Sequence, residues 1–534
     1  MALQENINLA QQVDIALLLR SLGLATVFLF AWQLRKAVVT RTKLRAIPTV
    51  GSSGIISSWR DAFRFVFHAK EIIQEGHRLH YGSAFKVPLL DKWMVVVSGS
   101  EKINDIRRAP SEQLSSKDAG GDILQLDYTV GRRFNEDSYH ADVVRSSLTR
   151  NIGACFADVQ DEIQAAFKDN IPMTEDWIEV PAYTTILQIV CRASNRMFVG
   201  LPLCRNRDYI KLNINYTVNV MACAHIIRLF PSILKPIVGS IFTPRRHAAA
   251  KMENFLGQTI RERLHQDDVH GKDWPGKPND LLSWLIDATE GHSERRTVQD
   301  LIVRMLGLNF AAIHTTSMSF TAALYALAAH SEHVQILRDE VETAIAGEGR
   351  TKAAMGKMNK LDSFVKEAQR LYGGPGVFGM IRLVKKDFVL SDGTVVPAGN
   401  QIAVASYSIH TDGVGIILDV ITVVLKTFLH RRTTKDPLEF KPWRFSDKRK
   451  EDGEGIRHQM VTPSLDYLLF GGGRPACPGR FFAVNELKAL MSYVLLNFDV
   501  KMDRVPETGW FLSDRFPNQS SKVLFRKRAP AVKI

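Results

Sequence analysis

The distribution of apolar positions divides the chain into four parts. Residues 15–34 are mostly apolar, and twenty helical residues span about 30 Å, the thickness of a bilayer core. The segment 35–52 is basic and ends in a stiff, Pro- and Gly-containing hinge. From 53 to 534 the apolar residues recur with the periods of folded secondary structure. We therefore expect a luminal amino terminus over 1–14, a transmembrane anchor, a hinge and one globular domain.

Within the globular part, helical patterns outnumber strand patterns. A long helical pattern runs over Thr297–Ala329, whereas His265–Asn279 is polar, contains Gly and Pro, and predicts a surface loop. Asp392-Gly393 is a hairpin signal. The strand-like runs are Ala84–Val87, Trp93–Val97 and Phe388–Val404. These patterns predict a mainly α domain with a small β part.

Charge and cysteine usage narrow the class of protein. The net charge is +13, from 69 basic and 56 acidic residues, but the basic residues are spread along the chain without a nucleic-acid recognition motif. An anionic membrane surface or an acidic partner suits this charge better than nucleic acid. The chain has five cysteines without metal-finger spacing, which favours a reducing compartment over a disulfide framework.

The flanks of the apolar run set its orientation. Basic residues follow it, among them Arg35, Lys36 and Arg41, while Glu5 and Asp14 precede it. The positive-inside rule then puts the globular domain in the cytosol. A cleaved signal peptide and a buried core helix are the alternatives. The acidic start disfavours the signal peptide.

One glycine-rich segment, Phe470–Arg480, carries the strongest chemical signal because Cys477 lies inside it. Glycines let a backbone turn tightly beside a flat cofactor, and backbone N–H groups can point at a sulfur. The helical pattern Phe481–Leu495 follows, so its amino-terminal dipole favours a thiolate. If Cys477 were an inert buried cysteine, the surrounding glycines would have no evident role. A phosphate loop would need a preceding strand and a Lys-Ser/Thr pair.

The segment follows the Phe-Gly-x-Gly-x-x-x-Cys-x-Gly frame, and the chain thereby resembles the cytochrome P-450 family. The resemblance implies haem b with Cys477 as the axial thiolate. Pro475 stands where an Arg or His that meets a haem propionate is usual, and Arg474 is a candidate replacement. The residues that the resemblance places at the cofactor are Phe470, Gly473, Arg474, Gly479 and, on an earlier helix, Arg145.

A second family-like element lies before the cysteine segment. Glu367 and Arg370 are three apart on a helical pattern and so share one face. Alone, such a pair is usually a solvated surface pair. The resemblance implies a buried cluster of Glu367, Arg370 and Arg444, the last from Phe440–Phe445, that supports the cysteine loop.

The long helical pattern contains a third element, Asn309–Thr316. Ala311 and Ala312 leave space beside a cofactor, and the resemblance implies that Thr315 relays protons. His314 replaces the acidic residue usual in the family, and a histidine can also carry protons near neutral pH. We therefore expect Thr315 and His314 to be catalytic. The alternative is an ordinary core helix whose threonines bond back to carbonyls.

The resemblance also suggests a substrate class and partners. The segment 192–206 is similar to fungal members of secondary metabolism that oxidise terpenoids, including ent-kaurene, gibberellin-pathway and indole-diterpene oxidases. Val377, Phe378 and Gly379 would line an apolar substrate pocket. Electrons would come from NADPH through a membrane-bound flavoprotein reductase at the endoplasmic reticulum membrane. The expected reaction inserts one oxygen atom of O2 into an apolar molecule.

One segment departs from the family pattern. Ser406–Asp412 should run within a few residues into Asp436–Phe440, but residues 413–435 intervene. A loop of this length inside a compact core is unusual. We interpret it as a retained intron or gene-model error.

Two alternative functions remain. One is a haem-thiolate isomerase or dehydratase that needs no reductase, and the other is a membrane-bound member of the family that the insertion inactivates.

Overall fold

The computed structural model describes residues 38–374, 376–411 and 436–529, together with Arg20, Ala31 and Arg35. Apart from two positions, the predicted anchor over 15–34 lies outside these ranges, and so does all of the insertion over 413–435. Among the described residues, no helix combines the length and the apolar character needed to cross a bilayer.

Helices make up most of the described chain. In chain order they are α1 Ile55–Leu79, α2 Ser100–Arg108, α3 Ser116–Leu124, α4 Arg132–Glu136, α5 Tyr139–Val143, α6 Thr149–Asn170, α7 Ala182–Phe198, α8 Arg207–Arg228, α9 Lys235–Ile241, α10 Arg245–His270, α11 Leu281–Asp287, α12 Val298–Ala329, α13 Val334–Glu348, α14 Lys352–Lys357, α15 Asn359–Tyr372, α16 Ser406–His410, α17 Arg444–Lys448 and α18 Arg480–Asn497. Single π turns, Asp127–Gly131 and Val144–Leu148, precede α4 and follow α5.

The described strands form one larger sheet and three small ones. They are β1 Ala84–Pro88, β2 Trp93–Val97, β3 Leu114–Ser115, β4 Ile178–Pro181, β5 Phe378–Val384, β6 Phe388–Val389, β7 Val395–Val396, β8 Gln401–Ala405, β9 Phe498–Lys501, β10 Gly509–Phe511, β11 Asp514–Phe516 and β12 Lys522–Lys527. The larger sheet has the order β1-β2-β8-β5-β3, with β2 and β8 parallel. The order β4-β12-β9 forms a second sheet, and β6-β7 and β10-β11 are hairpins.

The central helix α12 organises the main core. Its amino terminus is capped by Thr297, whose hydroxyl accepts from the Asp300 backbone N–H at 3.2 Å. The helix is apolar on most faces and therefore buried on most faces, against α7, α8, α10, α15 and α18. This packing brings helices far apart in sequence onto one scaffold.

The structure confirms most of the pattern-based predictions. The domain is mainly helical with a small β part, the long helix occupies the predicted residues, and β6 and β7 flank Asp392-Gly393. The loop predicted over 265–279 is wrong in its first part, because α10 continues to His270. Gly271, with φ of 77°, ends that helix in a conformation that other residues rarely adopt.

Candidate active site

The cysteine segment forms a tight loop before α18. The Cys477 backbone N–H donates to the Phe470 carbonyl at 2.9 Å, which closes the loop between its first and last parts. Gly473 has φ of 74°, and a Cβ there would lie 2.3 Å from the Arg107 carbonyl oxygen. Only glycine therefore fits this position without displacing the backbone of α2.

The sulfur of Cys477 lies at the amino terminus of α18. Gly479 caps that helix, so the backbone N–H groups of Gly479 and Arg480 at its start favour a negative charge on the sulfur. Surrounding protein raises the pKa of the thiol, while those two N–H groups and the Arg480 charge oppose the rise. The side chain nevertheless keeps solvent-accessible surface. The loop thus presents a sulfur that is supplied with donors suited to a thiolate.

The structure brings Glu367, Arg370 and Arg444 together in the interior. Arg370 donates to both carboxylate oxygens of Glu367, at 2.7 and 2.8 Å, and Arg444 Nε donates to one of them at 2.9 Å. The Lys441 backbone N–H adds a bond of 3.1 Å to Glu367. All three side chains are buried, so each charge depends on the others for solvation.

A relay of polar contacts connects this cluster to the cysteine loop. Arg370 Nη1 donates to the backbone carbonyl of His410, and the His410 ring Nε2 accepts from the Leu468 N–H at 2.9 Å. Beside Arg370, Gln369 Oε1 accepts from the Tyr467 hydroxyl at 2.7 Å. Tyr467 and Leu468 lie three and two residues before Phe470, where the cysteine loop begins. No spacing rule links Gln369, His410 or Tyr467 to the loop, so their role is not predictable from the sequence.

A buried cation that the sequence analysis also missed lies on β5 beside the loop. Arg382 Nη2 is 3.4 Å from the Gly472 carbonyl oxygen, and Nη1 donates to Ile381 at 2.9 Å. No carboxylate of the described chain lies within ion-pair distance of this guanidinium. Burial lowers the pKa of Arg382 to about 10. A buried cation without a carboxylate is costly unless an anion meets it.

The helix α12 has one open face at its middle, defined here by Ala311 and Thr315. Both are exposed, whereas Ile313 and Thr316 are buried. They are four residues apart and so lie one above the other. The Thr315 hydroxyl donates to the Ala311 carbonyl at 2.7 Å and also lies 3.2 Å from the Ala312 carbonyl. The open face therefore carries a small residue and a hydroxyl, as the sequence predicts.

His314 points away from the open face. Its ring lies between the Tyr183 hydroxyl on α7 and the Ile214 carbonyl on α8. Burial lowers the pKa of His314, and the bond to the Ile214 carbonyl opposes this effect. His314 and Thr315, predicted from the sequence to carry protons together, thus face different surroundings in the structure.

Other predicted site residues lie in different surroundings. Arg145 is exposed and pairs with Asp142 at 2.6 Å. Val377, Phe378 and Gly379 are buried in or beside β5, and the Phe378 ring stacks on Phe65 of α1 with centroids 5.8 Å apart. Val377 and Phe378 belong to an apolar cluster with residues of the larger sheet and of α1, and their role in a substrate pocket stays a prediction. Arg474 is exposed at the tip of the cysteine loop.

A cavity of about 220 Å³ opens beside the loop. Two guanidinium side chains, Arg107 and Arg480, line it, and no carboxylate is among its described lining residues, so its surface attracts anionic groups. Arg480 Nη1 also donates to the Cys477 carbonyl at 2.8 Å and its guanidinium stacks on Phe481 at 4.4 Å. Arg480 therefore supports the loop as well as the cavity.

Comparison with known proteins gives a consistent result. The cytochrome P450 family model matches residues 68–413 and 419–514. Cytochrome P450 monooxygenase 103 of Postia placenta is 42% identical over 496 residues, covering 91% of this chain and 94% of the relative. Ent-kaurene oxidase P450-4 of Gibberella fujikuroi is 28% identical over 501 residues, covering 92% and 94%. Retinoic acid-bound cyanobacterial CYP120A1 shares the fold with a TM-score of 0.65 and 18% identity, covering 90% and 99%.

Proposed function

The chain belongs to the cytochrome P450 family of haem-dependent monooxygenases, and we propose that Cys477 is its thiolate ligand and that its substrate is an apolar, terpenoid-like molecule. The family uses a haem-thiolate iron with electrons from a redox-partner reductase. The observation that carries the assignment of Cys477 is the position of its sulfur at the start of α18, where the backbone N–H groups of Gly479 and Arg480 favour the thiolate.

The residues present fit haem. A single protein thiolate suffices for the iron, and the loop supplies one with its hydrogen-bond donors. Arg382 is buried beside Gly472 with no carboxylate of the described residues in ion-pair reach, and it would supply the cation that a propionate needs. It meets that need better than Arg145, which already pairs with Asp142, or Arg474, which lies at the exposed tip. Arg382 of β5 would then supply the positive charge that Pro475 cannot.

Haem supplies the redox chemistry that activates O2, and the thiolate favours cleavage of the O–O bond. The chain supplies the surroundings. Ala311 leaves room on the open face of α12, and the Thr315 hydroxyl would deliver a proton there by turning away from the Ala311 carbonyl, to which it donates at 2.7 Å. Phe470 packs against the main core and helps exclude water from the sulfur.

The substrate proposal rests on similarity and on apolar character. The relative from Gibberella fujikuroi is an ent-kaurene oxidase, and this chain matches it over 92% of its own length. The open face of α12 offers Ala311 and the Thr315 methyl group, which favour a hydrocarbon surface. Type I difference spectra with a panel of diterpenes and matched polar derivatives test this. Preference for the polar derivatives would contradict the proposal.

An NADPH-dependent flavoprotein reductase is the proposed electron donor. The basic cavity beside the cysteine loop and the exposed Arg474 suit an acidic partner. Arg474→Glu is the cleaner charge reversal, because Arg480 also bonds the Cys477 carbonyl. We expect a weaker apparent affinity for reductase at low salt. An unchanged reductase titration would count against this docking surface.

We further propose attachment to the endoplasmic reticulum membrane with a cytosolic domain. The apolar run over 15–34 supports an anchor, and α1 adds an exposed apolar face. Its side chains Ile56, Trp59, Phe63 and Phe67 are 87%, 56%, 60% and 77% exposed. Full-length protein should stay with membranes in carbonate and should be open to protease from the cytosolic side. Release by carbonate would contradict the anchor.

Isotope labelling separates the monooxygenase from a haem-thiolate isomerase or dehydratase. With 18O2, NADPH and reductase, the product should gain one labelled oxygen atom. Turnover without NADPH, or a product without label, would favour the reductase-independent alternative. A chain that binds haem but gives no product from any substrate would favour the member inactivated by the insertion.

A further inference from the structure

The His314 ring has a defined hydrogen-bonding state. Nε2 lies 3.0 Å from the Ile214 carbonyl oxygen, and Nδ1 lies 3.2 Å from the Tyr183 hydroxyl oxygen. A carbonyl oxygen can only accept, so Nε2 carries the proton and donates. Nδ1 is then an acceptor, and the Tyr183 hydroxyl donates to it. Both nitrogens of a neutral imidazole are satisfied in this arrangement.

These contacts make a poor route for protons. A relay takes a proton at one nitrogen and gives one up at the other to a group that can pass it on. Here the Nε2 proton is held by a backbone carbonyl in the middle of α8, which has no proton to exchange. The second partner, Tyr183, is buried, and burial raises the pKa of its hydroxyl to about 12.

The same two contacts do connect α12 firmly to α7 and α8. His314 stands where α7, α8 and α12 meet, beside a small apolar cluster of Tyr183, Leu187, Cys191, Ile210 and Ile313. Its two bonds fix the rotation of α12 at this turn relative to both neighbours. Thr315 is the next residue, about 100° further around the helix, so its direction follows from that rotation.

We propose that His314 is a positioning residue that ties α12 to α7 and α8 and thereby holds Thr315 on the open face. This inference rests on the proposed function, since it explains how one residue of that site is oriented. It replaces the proton-carrying role with a geometric one. It also makes the link sensitive to movement of α8, because the Ile214 carbonyl belongs to that helix.

Three substitutions distinguish the two roles. Glutamine carries one amide donor and one amide oxygen acceptor, so His314→Gln preserves both bonds but does not titrate near neutral pH. His314→Leu fills the space without either bond. Tyr183→Phe removes only the hydroxyl and is the milder perturbation.

The main readout is amide hydrogen–deuterium exchange of α8, with α10 as an internal reference. Loss of a hydrogen bond to a carbonyl is expected to speed local exchange about fivefold to tenfold in His314→Leu. His314→Gln should exchange within about twofold of wild type, and Tyr183→Phe should lie between. The second readout is product formed per NADPH, which should fall in His314→Leu and stay normal in His314→Gln.

Two results would overturn the proposal: unchanged α8 exchange in His314→Leu, and a His314→Gln variant as uncoupled as His314→Leu. If His314→Leu does not fold, Tyr183→Phe and His314→Gln carry the test. The reduced carbon monoxide spectrum of each variant separates this inference from the proposed function. A normal spectrum with unchanged exchange contradicts the link alone, whereas an abnormal wild-type spectrum contradicts the assignment of the thiolate.

Discussion

The ring of His410 accepts a hydrogen bond of 2.9 Å from the backbone N–H of Leu468. Through its carbonyl, the same histidine accepts from Arg370 of the buried charge cluster. One residue therefore joins the cluster to the segment that enters the cysteine loop. Burial and the Arg370 charge lower the pKa of His410 to about 3, so the ring is neutral and able to accept near neutral pH.

Removing a charge from the cluster should abolish haem binding. Arg370→Ala leaves Glu367 buried with one guanidinium instead of two and frees the His410 carbonyl, at an expected cost of about 3–5 kcal/mol. Haem content per polypeptide and the free energy of unfolding measure the effect. Arg132→Ala, which breaks an exposed pair with Glu136, is the matched control and should change neither. Normal haem loading in Arg370→Ala would refute the supporting role of the cluster.

The link through His410 can be broken without touching a charge. His410→Phe keeps a ring stacked on Tyr467, where the centroids are 5.5 Å apart, but leaves the Leu468 N–H without an acceptor. The expected loss of stability is about 1–3 kcal/mol. Haem should also dissociate faster. His410→Gln offers an oxygen acceptor and should recover part of the loss, and equal behaviour of both variants would argue against the link.

Lys366 should give the protein a distinct dependence on alkaline pH. The residue is buried between Phe445 and Tyr467, and burial lowers the pKa of its ammonium to about 8. Between that value and the ordinary lysine value the unfolded chain binds more protons, so this group makes stability rise with pH. Lys366→Met removes this contribution. The stability of wild type relative to Lys366→Met should therefore increase from pH 8 to pH 10, and a flat difference would contradict the assignment.

Thr315→Ala should uncouple electron consumption from product formation. The variant lacks the hydroxyl on the open face, so more hydrogen peroxide and less product should form per NADPH. Thr315→Ser keeps the hydroxyl and should stay close to wild type. Equal coupling in all three proteins would show that the hydroxyl has no part in proton delivery.

Residues 413–435 should be dispensable for folding. Arg370 Nη1 donates to the carbonyl of His410 and also, at 2.7 Å, to that of Pro437, so one guanidinium holds both sides of the insertion together. Within this segment the family match leaves out only residues 414–418 and resumes at 419, so this expectation rests on the Arg370 contacts and not on the match. We expect a chain without 413–435 to bind haem at least as well. A mature transcript that encodes the segment would rule out the retained intron.

Short sequence patterns were enough to predict those site residues that lie close together in the sequence. The glycines around Cys477 and the spacing of Glu367 and Arg370 are short-range features, and the structure places these residues as the spacing indicates. The exposed pair on α12 follows from helical periodicity once the small residues are noticed.

Contacts between residues that lie far apart in the sequence could not be predicted from it. In the sequence, Arg382 is indistinguishable from other arginines in strands. Only the fold shows that it is buried with no described carboxylate in ion-pair reach. The Ile214 carbonyl that holds His314 lies 100 residues away in sequence, and a backbone acceptor has no residue signature. The bond from the Leu468 backbone N–H to His410 likewise has no signature in the sequence. Apolar character alone also does not separate a pocket wall from a packed core, so the pocket role of Val377, Phe378 and Gly379 stays a prediction.

The most direct test of the central claim is the reduced carbon monoxide difference spectrum of the full chain and of Cys477→Ser. Thiolate ligation by Cys477 predicts the red-shifted Soret band of the family in wild type and its loss in Cys477→Ser. A wild-type protein that binds haem without that band, or a Cys477→Ser variant that keeps it, would contradict the assignment of Cys477 as the ligand.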